Sequence, residues 1–198
     1  MPHIENTAFE LRVSNHMFDT TKNVAGKFQN STPADEECPA GFLVVPTGKL
    51  PNEGYSGVYN ENAYLMGAAA EATAEEIYAC NTFNVQELPG PFGTSYKVGT
   101  NTLGLPIPSG RVGTYTRIDA GNMARFGIGN FTAAISTNGY ATLGTSTNAG
   151  KLVPAASAPT TTGALYFTIE EQGKFTQGAY AGMEYVLLKA HRVNTVSG

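Results

Sequence analysis

The sequence predicts a mainly β protein, with a small β-barrel or sandwich in its carboxy-terminal half. Short apolar runs recur among polar residues, 23 glycines and 11 prolines punctuate them, and no helical periodicity follows residue 90. Three stretches are expected. Residues 1–40 form an extended amino-terminal arm, residues 41–90 a small acidic α+β segment with one short helix, and residues 91–198 the β-rich domain. A chain of 198 residues suits one domain carrying an arm or subdomain.

Within residues 1–34, Phe9, Phe18 and Phe28 stand at wide intervals in polar sequence without a sustained period. That pattern fits an arm docking one ring at a time, or equally a meandering edge of the core. The run 42–45 reads as a buried strand ending at Pro46, before a loop rich in Pro and Gly. Residues 67–79, GAAAEATAEEIYA, combine Ala and Glu and predict a helix of about three turns. Residues 81–88 alternate Phe83 and Val85 with polar neighbours, as a strand does. PGPFG at 89–93 breaks periodic structure and marks a subdomain boundary.

Beyond it, residues 94–98 predict a short strand, and Leu103, Leu105 and Ile107 alternate before a turn at Pro108, Ser109 and Gly110. Residues 111–118 alternate imperfectly, and Phe126, Ile128 and Phe131 follow among glycines. Asn138-Gly139 between FTAAIST and YATLGT predicts a two-residue hairpin, since both residues tolerate the positive φ of a type I′ turn. Leu152 with Val153, and residues 164–169, predict two more strands, the second ending in a turn at Glu171, Gln172 and Gly173. Residues 183–193 are apolar on both faces, as in a central or covered strand.

Only 14% of residues are charged, against about 25% in an average protein. With a pI of about 5.4 there is no positive surplus to neutralise phosphates, so nucleic acid is not an expected partner. Charge is uneven along the chain. Residues 1–90 carry twelve acids and four bases, a net −8, and residues 91–198 carry four acids and eight bases, a net +4. Opposed halves suit pairing within one molecule or head-to-tail packing of copies. No run approaches membrane-spanning length, and the first twenty residues lack the apolar stretch of a secretory signal. No membrane partner is expected, and synthesis is placed in the cytoplasm.

Chemistry-bearing motifs are absent. There is no nucleophile elbow, P-loop or dinucleotide fingerprint. His3, His16 and His191 are dispersed, with His191 on the last strand the one placed for a structural hydrogen bond. Cys38 and Cys80 read as isolated reduced thiols, the first raised in pKa by flanking acids, and Asp35, Glu36 and Glu37 read as a solvated turn. No catalytic residue, metal or cofactor is expected, and the protein is read as non-enzymatic. Few Lys and Glu, with Thr- and Ala-rich segments at 132–149 and 154–165, suit a surface that is packed closely.

The polar arm before a β region, the segment Gly150-Lys151-Leu152-Val153-Pro154 with its Ala/Pro/Thr run to Thr162, and the strand Gly163-Ala164-Leu165-Tyr166-Phe167 carry a resemblance. In them the chain resembles the capsid decoration (cement, head-stabilising) proteins of tailed bacteriophages. The resemblance implies a virion protein on the outer capsid surface, bound to the major capsid protein and to copies of itself, commonly as a trimer. Phe9, Phe18 and Phe28 would then be capsid-binding anchors. The length and the acidic segment 41–90 depart from the smallest members. Two other roles compete: a tail-tube or connector ring protein, and a carbohydrate- or receptor-binding module using Tyr55, Tyr59 and Tyr64, which the absence of Trp weakens.

Overall fold

The computed structural model describes residues 9–12, 23–29, 35–51, 59–82, 88–89, 95–96, 106–136, 139–176 and 182–194. They are mainly β, as the alternating runs predict. The strands are β1 (Phe9–Arg12), β2 (Asn23–Phe28), β3 (Leu43–Pro51), β4 (Tyr59–Ala68), β5 (Tyr78–Thr82), β6 (Leu88–Pro89) and β7 (Ser95–Tyr96). They continue with β8 (Val112–Arg117), β9 (Met123–Gly127), β10 (Tyr140–Leu143), β11 (Leu152–Ala155), β12 (Leu165–Lys174) and β13 (Glu184–Arg192).

Strands β2, β4, β3, β5 and β8 close a barrel in that order, with β2 and β4 parallel and the other pairs antiparallel. An open six-stranded sheet has the order β1-β9-β13-β12-β10-β11, and β6 pairs with β7. The barrel thus spans residues 23–117 rather than the carboxy-terminal half. Both sheets cross the boundaries expected at 40 and 90. β1 lies beside β9, with Phe9 opposite Phe126, and β2 pairs with β8 across the PGPFG break. Burial of distant strands against one another sets the layout.

Two cores result. Inside the barrel, Phe28, Val44, Met66, Tyr78, Ile107 and Tyr115 fill the interior. Gly26 and Gly113 face each other across β2 and β8, and a Cβ on Gly113 would lie 2.2 Å from Ile107 Cδ1. The missing side chains make room for Ile107 and Met66. The second core lies between the open sheet and the barrel wall, where Phe126, Phe167, Leu165 and Leu188 meet Leu43 and Ala79. β3 and β5 are therefore buried on both sides: Leu43 and Ala79 face the sheet, Val44, Tyr78 and Cys80 the barrel. β13 is central, between β9 and β12, as its apolar faces predict.

The helix expected over 67–79 does not form. β4 continues to Ala68, residues 69–77 are turn and coil, and β5 begins at Tyr78. Distant partners take the backbone groups that a helix would use. Ala69 N–H donates to Leu43 O at 2.9 Å, Leu165 N–H to Ala72 O at 2.8 Å, and Ile118 N–H to Ile77 O at 2.9 Å. Arg192 completes the set, donating to Ala74 O at 2.9 Å, Glu75 O at 3.0 Å and Gly163 O at 2.9 Å. Helix propensity is worth only tenths of a kcal/mol per residue, so these long-range bonds prevail. Arg192→Met keeps the apolar stem and removes all three donors. The expected loss is about 3 kcal/mol, read from the shift in urea midpoint.

The hairpin expected at Asn138-Gly139 is not found among the described residues, where 131–136 do not pair with β10. β12 and β11 occupy both edges of β10, leaving no edge for residues 131–136. Phe131 instead bridges in parallel to Leu152, and Thr132 N–H donates to Leu152 O at 2.9 Å. Asn138 itself lies outside the described residues. β3 runs past Pro46, which lacks a ladder donor and is absorbed by a register shift between Pro46 and Gly48. The turn expected at residues 171–173 is instead continuing strand, with a register shift between Ile169 and Glu171. Phe83, Val85, Leu103 and Leu105 lie outside the described residues.

The charged halves meet within the molecule: Arg117 pairs with Glu76 at 3.1 Å, and Arg192 reaches the 74–75 carbonyls. Cys38 and Cys80 are not isolated, because Cys80 Sγ donates to Cys38 O at 3.5 Å inside the barrel. Burial is the main cause that pushes the Cys38 thiol well up, with Cys80 next and Glu37 contributing least.

Candidate assembly surface

Strand alternation sends Leu165, Phe167, Leu188 and Ala190 into the core and turns Tyr166, Thr168, Lys189 and His191 to the opposite face of the open sheet. Tyr166 stands directly across from His191, and their rings stack at 5.2 Å and 21°. Tyr140 on β10 joins them, its ring 6.1 Å from that of Tyr166. A row of three half-buried rings thus crosses β10, β12 and β13.

Hydrogen bonds fix one end of the row. Thr168 Oγ1 donates to Glu170 Oε1 at 2.6 Å and lies 3.0 Å from His191 Nε2. The hydroxyl has a single proton, which the carboxylate takes, so His191 Nε2 carries a hydrogen and donates to Thr168. The structural hydrogen bond expected of His191 is present, although the residue holds a ring platform as well.

Farther along the same face the surface is covered. Tyr185 packs with Phe175, ring centroids 4.9 Å apart, and with Met183 and Leu187. The Arg125 guanidinium lies 4.5 Å over the Tyr185 ring, and Tyr185 OH donates to Glu171 Oε1 at 2.7 Å. The row of Tyr140, Tyr166 and His191 lies outside that cluster.

A second surface feature is a groove of about 510 Å³ between β3, β4 and the 69–77 turn, lined by Val45, Pro46, Ala68, Glu71, Glu75 and Glu76. Glu76 is engaged by Arg117 and accepts from Tyr78 OH at 3.3 Å. Burial, then Glu76, pushes Tyr78 up to about 12. No group of three or more His, Cys, Asp or Glu that could hold a metal gathers among the described residues. No helix among them is long and apolar enough to cross a membrane.

Of the expected anchors, only Phe28 has a described side chain. Phe9 lies in β1, Phe18 lies outside the described residues, and Phe28 is 3% exposed in the barrel core, edge-on to Phe42 at 5.6 Å. Phe28 is therefore a packing residue. Its neighbours Ala25, Gly26 and Lys27 are held between β4 and β8, a pairing that local sequence does not announce. Among the expected sugar platforms, Tyr59 lies in β4 and Tyr64 is half-buried beneath Lys49, whose Nζ is 4.3 Å from the ring centre. Tyr55, His3 and His16 lie outside the described residues. Sequence reading missed Tyr140 and Tyr166. The signal available was the alternation of YATL and ALYF, which places each tyrosine opposite a core residue.

Asp35 is more engaged than a solvated turn. It accepts from Gln29 Nε2 at 2.9 Å and pairs with Lys27 at 2.8 Å. The Gln29 amide first, then Lys27, hold its carboxyl below the ordinary value. The unfolded chain takes up this proton near pH 4, the folded chain only at lower pH. The stabilisation is therefore complete above about pH 4 and is lost as pH falls through the folded value. The gap in urea midpoint between the wild type and Asp35→Asn should shrink from about pH 6 to about pH 2.5.

No family model, curated protein or solved structure matches this chain.

Proposed function

We propose that this protein is a non-enzymatic virion structural protein that decorates the outer capsid surface, docking through the outer face of its six-stranded sheet. The observation that supports this is the row of Tyr140, Tyr166 and His191 on the outer face of the sheet. Tyrosines offer large, rigid contact area with few torsions to immobilise, and they are enriched at the centres of protein interfaces. A flat row of rings flanked by threonines suits a flat protein partner better than a small molecule, which needs a concave site. The major capsid protein is the proposed partner, with copies of the chain itself as a second. Thr142 and Thr168 beside the row are short side chains with little entropy to lose on docking, and Lys189 is a cation on the same face.

Co-sedimentation with expanded shells of the major capsid protein from the same virus tests the reading. Deleting residues 1–34 would remove β2 and open the barrel, so the informative truncation removes residues 1–22. That truncation loses β1 alone among the described strands and is expected to keep shell binding within about threefold, a change under 1 kcal/mol. Loss of binding on truncation, with the ring row intact, would move the contact to the arm.

A further inference from the structure

Cys38 and Cys80 are 42 residues apart in sequence and adjoin in the barrel, both with no exposed surface. Their backbones are tied together from both sides. Gly41 N–H donates to Cys80 O at 2.7 Å, Cys80 N–H to Phe42 O at 2.9 Å, and Cys80 Sγ reaches Cys38 O at 3.5 Å. The hydroxyl of Tyr115, buried in the same core, has no hydrogen-bond partner of good geometry. The barrel thus gathers two buried thiols and a phenol in one cluster, with the Cys80 thiol against the Cys38 backbone.

The two cysteines differ in how they are held. Cys80 is inside β5, between β3 and β8. Cys38 lies outside any strand, in an isolated bridge to Ile107: its N–H donates to Ile107 O at 2.9 Å, and Ile107 N–H donates back at 2.8 Å. Freeing the Cys38 segment breaks the two bonds of that bridge and the two that join Gly41 and Phe42 to Cys80, whereas moving Cys80 breaks the ladders of β5 with β3 and β8, so the Cys38 segment is the route to the pair.

We propose that Cys38 and Cys80 form a reversible dithiol–disulfide pair, whose oxidation fastens the segment before β3 to β5 inside the barrel. The oxidant is a small-molecule disulfide of the glutathione class. On opening, the Cys38 thiol loses its proton and the thiolate attacks the oxidant, forming a mixed disulfide and releasing one reduced thiol. Cys80, deprotonated in turn, attacks the Cys38 sulfur, closes the protein disulfide and releases the second thiol. Two electrons and two protons leave the protein and reduce the oxidant to two thiols. Burial that pushes the Cys38 thiol up makes the closed barrel unreactive, so oxidation proceeds at the rate of opening. The pair stays reduced under a reducing poise and closes in oxidising surroundings. This inference does not rest on capsid binding.

The full-length protein is incubated with oxidised glutathione, denatured, alkylated and analysed by mass spectrometry. The expected product is two hydrogens lighter, resists alkylation and yields one linked peptide pair containing Cys38 and Cys80. Closing a loop of this length should raise the melting temperature by about 5 °C or more, reversed by reductant. Cys38→Ser should abolish both changes. Two alkylated thiols after prolonged exposure, a stable glutathione adduct or disulfides only between copies would overturn the proposal. Because the mass readout uses the wild-type chain, it stands even if Cys38→Ser fails to fold.

Discussion

Replacing Gly150 with alanine is expected to destabilise the protein by about 4 kcal/mol, through left-handed backbone strain and overpacking together. Gly150 has φ +82°, and an added Cβ would lie 2.1 Å from Phe42 Cζ and 2.2 Å from Phe42 Cε1. The position has little freedom to move. Gly150 N–H donates to Ala69 O at 2.8 Å and its carbonyl accepts from Leu43 N–H at 2.8 Å, the bonds by which the turn before β11 meets the barrel wall. Phe42 cannot retreat freely either, because its ring packs against Phe28. Gly121→Ala separates the two effects. Gly121 also has a positive φ, +89°, yet nothing lies within 4 Å of its Cβ position. It should cost only about 1–2 kcal/mol, the backbone part. Equal urea midpoints for the two variants would show that the junction is not packed as described.

The second large effect falls on assembly. Tyr166→Ser removes the ring at the centre of the row, which touches both Tyr140 and His191. If the row is the docking centre, per-copy affinity for shells should fall about thirtyfold or more, the ~2 kcal/mol of an interface hot spot. Tyr140→Ser with Tyr166→Ser should bring binding to background. Fold stability should change far less, because both rings lie outside the core clusters and the stacked contact is worth about 1 kcal/mol. Tyr64→Ser serves as the control. Tyr64 is a half-buried ring of the barrel under Lys49, and its loss should leave shell binding unchanged.

The strands that could be read locally were those whose two faces differ in burial or are both apolar. β13 and the first half of β12 announce themselves in EYVLLKAHR and LYFTI, and β8 in the stretch after Gly110. What failed was everything decided at long range. GAAAEATAEEIYA has helical composition, but its carbonyls belong to Leu165, Arg192 and Ile118, residues at least 40 positions away. Asn138-Gly139 has turn chemistry, but β10 has already spent both edges on β11 and β12. Phe28 looked like an arm residue because nothing in residues 23–28 signals that β4 and β8 will flank them. The ring row was illegible for the same reason. Tyr140, Tyr166 and His191 come from three strands whose order β10-β12-β13 is fixed by sheet topology, not by spacing in the chain.

The central claim is that the outer face of the open sheet docks the protein on a capsid. The most direct measurement is the mass of the protein in solution, alone and then with expanded shells, by sedimentation. The expected result is a small species alone, and saturable binding to shells at a fixed ratio of copies per capsomer, abolished by Tyr140→Ser with Tyr166→Ser. A folded wild-type protein that stays in the supernatant with shells, or that closes into rings in their absence, would contradict it.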